Sequence, residues 1–70
     1  MTVEKSVDLM GTGSSIEEAV SGAVHRATLT LQGVTSFEVR GVEGQVGDGG
    51  ELTYRARVRV WFVIKERLHE

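Results

Sequence analysis

The side chains best placed for chemistry lie on one short stretch near the C-terminus. In TYRARVRVWF, Thr53 to Phe62, the residues alternate with a strict period of two. Arg55, Arg57, Arg59 and Trp61 therefore share one face of an extended strand, and Tyr54, Ala56, Val58, Val60 and Phe62 share the other. An array of guanidinium groups can clamp a phosphate bidentately or stack on a planar ring. It can equally be taken up in ion pairs with Glu4, Asp8, Glu38 and Glu43 on neighbouring strands or subunits, pairs that are individually weak. Arg57 and Arg59 are read as ion-pairing residues, across strands or subunits, and Arg55 is left open between the two readings.

The other reactive side chains form no constellation. His25 and His69 are the only imidazoles and lie far apart, one on a helix surface and one in the tail. With no cysteine in the chain, thiolate metal sites and disulfides are excluded. Ser14, Ser15 and Ser36 have no histidine–carboxylate chain to activate them. Glu17 and Glu18, Glu43, and Asp48 with Glu51 are not united across a cleft by any spacing, so acid–base catalysis has no support. Asp48, Glu51 and Glu43 can offer oxygen ligands to calcium only if another subunit completes the set. The GTGSS segment before a helix suits an anion in principle. It lacks a P-loop lysine and the GxGxxG spacing, and Glu17 and Glu18 would repel an anion there. It is read as a turn and cap.

These residues must be carried by a strand, a helix and two further strands. Val3, Lys5, Val7 and Leu9 alternate against Glu4, Ser6 and Asp8, predicting a strand over about 3–9. Ser15 and Glu18 form a capping box. Ile16, Ala19, Val20, Ala23, Val24, Ala27 and Leu31 then trace an amphipathic helix over about 15–32, closed by Gly33 in a left-handed C-cap. The small residues of that stripe imply a close-packed, curved sheet. A second strand over about 36–46 changes phase near Gly41, which predicts a bulge. Phe37 is placed on its helix-covered face. The Asp48-Gly49 pair turns the chain into a third strand over about 51–65. The whole is expected to be one α+β domain, residues 1–70, with a three-stranded antiparallel sheet on one helix.

Seventy residues make a marginal core, and without cysteines self-association is the remaining way to stabilise it. The sheet face bearing the arginines has no layer of its own to cover it. A formal charge of −2 argues against nucleic acid as partner. No apolar run is long enough to span a membrane, and MTVEKSVDLM carries charges where a signal peptide would be apolar. A soluble, cytoplasmic protein is expected.

The pattern resembles the dodecins over essentially the whole chain. The matching pieces are Gly11-Thr12 and a serine before the helix, Arg26-Ala27 late in it, Glu38-Val39 on the second strand, and Tyr54, Val58, Val60 and Phe62 on the third. The resemblance implies a β-α-β-β subunit, its sheet partly wrapped around the helix, assembled as a hollow homododecamer. It implies a non-enzymatic shell that stores or sequesters riboflavin or FMN. In the family a tryptophan directly before the second-strand motif stacks on the flavin ring, and a glutamine after the third-strand tyrosine holds the ring's edge. Those positions are Ser36 and Arg55 here. Serine offers no π-face, and arginine is a donor only. The usual flavin site is therefore impaired, and riboflavin or FMN is expected to be weakly bound or absent. Trp61, six residues from Arg55 and about 20 Å along the strand, is not expected to replace the missing ring within one subunit. The alternatives are an assembly that binds another ligand (an anion, a nucleotide phosphate at Arg55, or a metal ion such as calcium) or one with a purely structural or partner-binding role.

Overall fold

The computed structural model describes residues 2–65; His69 lies outside the described residues. The elements are β1 (Thr2–Gly13), α1 (Ile16–Thr30), β2 (Val34–Val46) and β3 (Leu52–Lys65). The sheet is antiparallel in the order β1-β3-β2, so the arginine-bearing strand is central and both other strands pair with it. Among the described residues no helix is long and apolar enough to cross a membrane.

β1 runs four residues beyond the expected end at Leu9, because Gly11 and Gly13 are strand residues rather than loop. Gly11 pairs with Ala56 and Gly13 with Tyr54. A Cβ at Gly11 would overlap the carbonyl oxygen of Ala19 and come within 3.1 Å of the Ala23 Cβ. Only glycine lets the helix return this closely over the strand it has just left. Ser15 caps α1, its hydroxyl accepting from the Glu18 N–H at 3.0 Å. The Glu18 carboxylate reciprocates one residue earlier than a capping box requires, accepting from the Ser14 N–H at 2.6 Å and the Ser14 hydroxyl at 2.8 Å. These two bonds, backbone first, hold Glu18 below its ordinary pKa.

The far end of the helix corrects the expected C-cap. Leu31 is the cap, in extended conformation, and its N–H donates to the Ala27 carbonyl. Gly33, at φ 77°, turns the chain into β2, and its carbonyl accepts from the Val63 N–H at 3.0 Å. The hairpin is also built differently. The left-handed residue is Gly50, at φ 88°, not the Asp48-Gly49 pair, which forms the turn preceding it.

The core is small and made of small side chains. Ala19, Ala23 and Ala27 at helical spacing meet Ala56, Val58 and Val60 of β3, all essentially inaccessible, with Phe62 at the edge. The alanine stripe and the alternating strand thus explain each other. The phase change in β2 is a bulge at Arg40, between the pairs Val39–Val58 and Gly41–Arg57. The extra residue returns Val42 to the core-side face, opposite Ala56, in line with Phe37 and Val39. Yet that face of β2 is bare. Phe37 is 50% exposed, against the expectation that the helix covers it, and Val39, Val42 and Val46 are 44%, 40% and 74% exposed. The helix lies over β1 and β3 and reaches β2 only at its margin. The radius of gyration, 15.4 Å, exceeds the value of about 11 Å for a compact domain of this length. Long ribbon ends project beyond the helix, along a molecule 62 Å long and 13 Å thin.

Candidate functional site

The face of the sheet away from the helix is set by the pleat of β3, which sends Arg55, Arg57, Arg59 and Trp61 outward in turn. Register then gives each a different pair of neighbours. Arg55 lies between Thr12 and Glu43, Arg57 between Met10 and Gly41, Arg59 between Asp8 and Glu38, and Trp61 between Ser6 and Ser36. This arrangement decides which arginine is neutralised.

Arg59 is the most firmly held. Its Nε donates to Asp8 Oδ1 at 2.8 Å and its Nη2 to Asp8 Oδ2 at 3.3 Å, a two-point contact across strands. The hydrogen bond from Arg59 is the main reason Asp8 sits below its ordinary pKa, and the same bond raises Arg59. Arg40, carried by the bulge, adds its field to Asp8 and donates to Glu38 Oε1 at 3.2 Å. Arg55 Nη2 donates to Glu43 Oε1 at 3.0 Å. Arg57 makes no hydrogen bond or ion pair among the described residues. Arg59 pairs across strands as read from the sequence, and Arg55, left undecided there, pairs with Glu43. Arg57 finds no such partner within one subunit among the described residues.

The two candidate ligand positions do not meet within one chain. Ser36 stands opposite Trp61, six strand positions from Arg55, or about 20 Å. What stands beside Ser36 is the chain's single tryptophan. Trp61 is half-buried, with serines as its neighbours on both flanking strands. Its backbone carbonyl accepts from Thr35 Oγ1 at 3.5 Å, where β2 carries a second register shift. Reasoning along β3 alone relates Trp61 to Arg55 and misses its adjacency to Ser36. The signal for that adjacency is the bulge at Arg40. Counted back from Val46–Leu52 without it, Ser36 would face Phe62 and the opposite side of the sheet.

The remaining candidates are accounted for locally. Ser14 and Ser15 serve the helix N-terminus. His25 is exposed on α1. Glu43 is engaged by Arg55, while Asp48 and Glu51 belong to the hairpin turn and its exit. Among the described residues no three carboxylates or imidazoles converge on a metal position. Over the arginine face lies a shallow groove of about 450 Å³, lined by Asp8, Met10, Arg40, Arg57 and Arg59 and by the backbone positions Leu9 and Val58.

Comparison with known proteins places this fold. The sequence model of the dodecin family matches residues 3–65. The dodecin of Thermus thermophilus is 35% identical over 65 residues, spanning 91% of this chain and 94% of the relative. A crystal structure of an arginine variant of the dodecin from that organism superposes with a TM-score of 0.86 at 34% identity, covering 96% of this chain and all of the other. Dodecin from Streptomyces davaonensis gives 0.85 at 29% identity, covering 93% and 97%. A calcium dodecin from Mycobacterium tuberculosis, described as having a novel calcium-binding site, gives 0.79 at 29% identity, covering 97% and 99%.

Proposed function

The chain belongs to the dodecin family, and from that premise we propose that it forms a non-enzymatic homododecameric shell in the cytoplasm that binds and sequesters a flavin, riboflavin or FMN. The family binds flavins in oligomeric shells. For assembly, support comes from the uncovered row of Phe37, Val39, Val42 and Val46, an apolar stripe that a lone subunit leaves in water. The ligand reading is carried by one observation: Trp61 is the register partner of Ser36. An indole thus stands beside the position the family fills with its stacking ring, one strand over. Arg55, paired with Glu43, is the weaker half of the site, since a donor-only group does not reproduce an amide's two-way pairing.

The test is a titration of riboflavin and FMN followed from both partners, flavin emission and the emission of the sole tryptophan. Saturable quenching of both is expected. Trp61→Ala should weaken binding about ten- to a hundredfold, the value of one stacked ring. If the wild-type protein quenches neither flavin, the flavin reading is wrong. If Trp61→Ala binds as tightly as wild type, the ring lies elsewhere.

A further inference from the structure

We propose that the groove over Met10, Arg40, Arg57 and Arg59 is a binding site for a phosphate oxyanion, with the Arg57 guanidinium as its primary contact. The site requires no flavin ring and stands independently of the flavin reading.

Charge is the first ground. Three guanidinium groups line the groove against one carboxylate, Asp8, and that carboxylate is already held at two points by Arg59. Arg40 shares the Glu38 carboxylate at 3.2 Å with nearly half its side chain exposed. Arg57 keeps its five N–H donors uncommitted among the described residues, in a fork that matches a phosphate edge. Arg57 and Arg59 also stand two residues apart on one strand face, about 7 Å, where like charges oppose each other until an anion lies between them.

Local shape is the second ground. Both register neighbours of Arg57 lack a polar partner, being Met10 and Gly41. The guanidinium lies directly over Gly41. A Cβ there would overlap Arg57 Nη2 and come within 3.0 Å of its Cζ. Glycine thus provides a seat that any side chain would fill. The bulge that precedes it places Arg40 at the rim of the same groove. The groove volume, about 450 Å³, lies within the range of small-molecule sites. An extended polyanion fits poorly, because Glu38 and Glu43 flank the arginines and the chain is acidic overall.

The experiment is calorimetric titration of sodium pyrophosphate into the assembled full-length protein at low ionic strength. Arg57→Gln should lower affinity by about tenfold or more, the loss of charge-assisted hydrogen bonds. Gly41→Ala keeps every charge but displaces the guanidinium, so it should weaken binding in the same direction. Arg26→Gln, on the exposed surface of α1, should leave binding unchanged. Light scattering checks that each variant keeps the wild-type mass, and Arg57→Lys, which retains a cation, serves if Arg57→Gln disturbs assembly; its affinity should be intermediate. Absence of binding to wild type overturns the site, as does undiminished binding by Arg57→Gln or Arg57→Lys. Pyrophosphate that competes with FMN but not with riboflavin assigns the groove to the phosphoryl group of a larger ligand. Competition with neither assigns it to the free anion. Pyrophosphate binding without any flavin binding leaves the groove standing and removes the flavin reading alone.

Discussion

β1 and β2 flank the same central strand, antiparallel to it, and both turn apolar residues toward the helix side; only β1 is covered. Val7 and Leu9 are half-buried and Gly11 is buried beneath α1, whereas Phe37, Val39, Val42 and Val46 range from 40% to 74% exposed. The difference arises in the connections. Two serines separate β1 from the helix, so α1 must fold straight back over the strand it leaves, and the missing side chain at Gly11 lets it settle there. β2 begins at the helix's far end and passes along its margin. One half of the sheet is closed by the chain itself. The other half is left bare, the stripe that the proposed assembly would cover, which fits a core whose largest fully buried side chains are valines.

The largest effect should come from the covered half. Gly11→Leu sets a side chain against the Ala19 carbonyl and the Ala23 Cβ, and helix backbone cannot yield as a flexible side chain does. Overpacking of this kind costs about 1–3 kcal/mol or more, a large share of the stability of so small a domain. Loss of the helical circular dichroism signal at ambient temperature is the expected result. A melting transition within a few degrees of wild type would show that α1 does not lie this close to β1.

The open half should respond differently. Val39→Lys puts a charge in the middle of the bare stripe while leaving the alanine–valine core untouched. The helical signal should persist, and the mass from light scattering should drop from the dodecamer to smaller species. An unchanged mass would mean that the stripe is not buried by other copies, and that the two halves differ for another reason.

Much of this contrast is legible in the sequence, and what is not has a common origin. The alternation in Thr53–Phe62 gives the two faces of β3, and the spacing of Ala19, Ala23 and Ala27 gives the buried side of the helix, because both depend only on local periodicity. The bulge near Gly41 is visible as a change of phase. Its consequences are not. A single inserted residue decides whether Ser36 meets Trp61 or Phe62, and whether Arg59 finds the carboxylate of Glu38 or the side chain of Val39 beside it. Which strand the helix covers is likewise absent from periodicity, so parity alone puts Phe37 on a covered face that the fold leaves open. Element type is written locally, while register, which assembles the candidate site, is the sum of every irregularity between the turn and the residue in question.

The smallest expected effect separates the halves by pH, because Asp8 and Glu18 are carried by β1 and α1 rather than by β2. Each is held below its ordinary pKa in the folded chain, Asp8 chiefly by the hydrogen bond from Arg59 and Glu18 chiefly by the Ser14 N–H. A carboxylate that titrates lower when folded stabilises the fold above its unfolded pKa, and that stabilisation disappears as pH falls through the folded value. The melting temperature should therefore be level above about pH 5, fall as pH drops below the ordinary value of 4.5 for Glu18, and fall further below 3.8 for Asp8. Both groups are exposed, so solvent screens them and the decline is gentle. Glu18→Gln should flatten the upper part of the decline and Asp8→Asn the lower part. Val39→Lys, measured at a concentration where it is dissociated, should keep the same acid limb, since the chief partners of the two carboxylates, Arg59 and Ser14, lie outside β2 in the same chain. A limb that vanishes on dissociation would place the acid sensitivity between subunits instead, and with it the contacts that Asp8 and Glu18 make in the assembled shell.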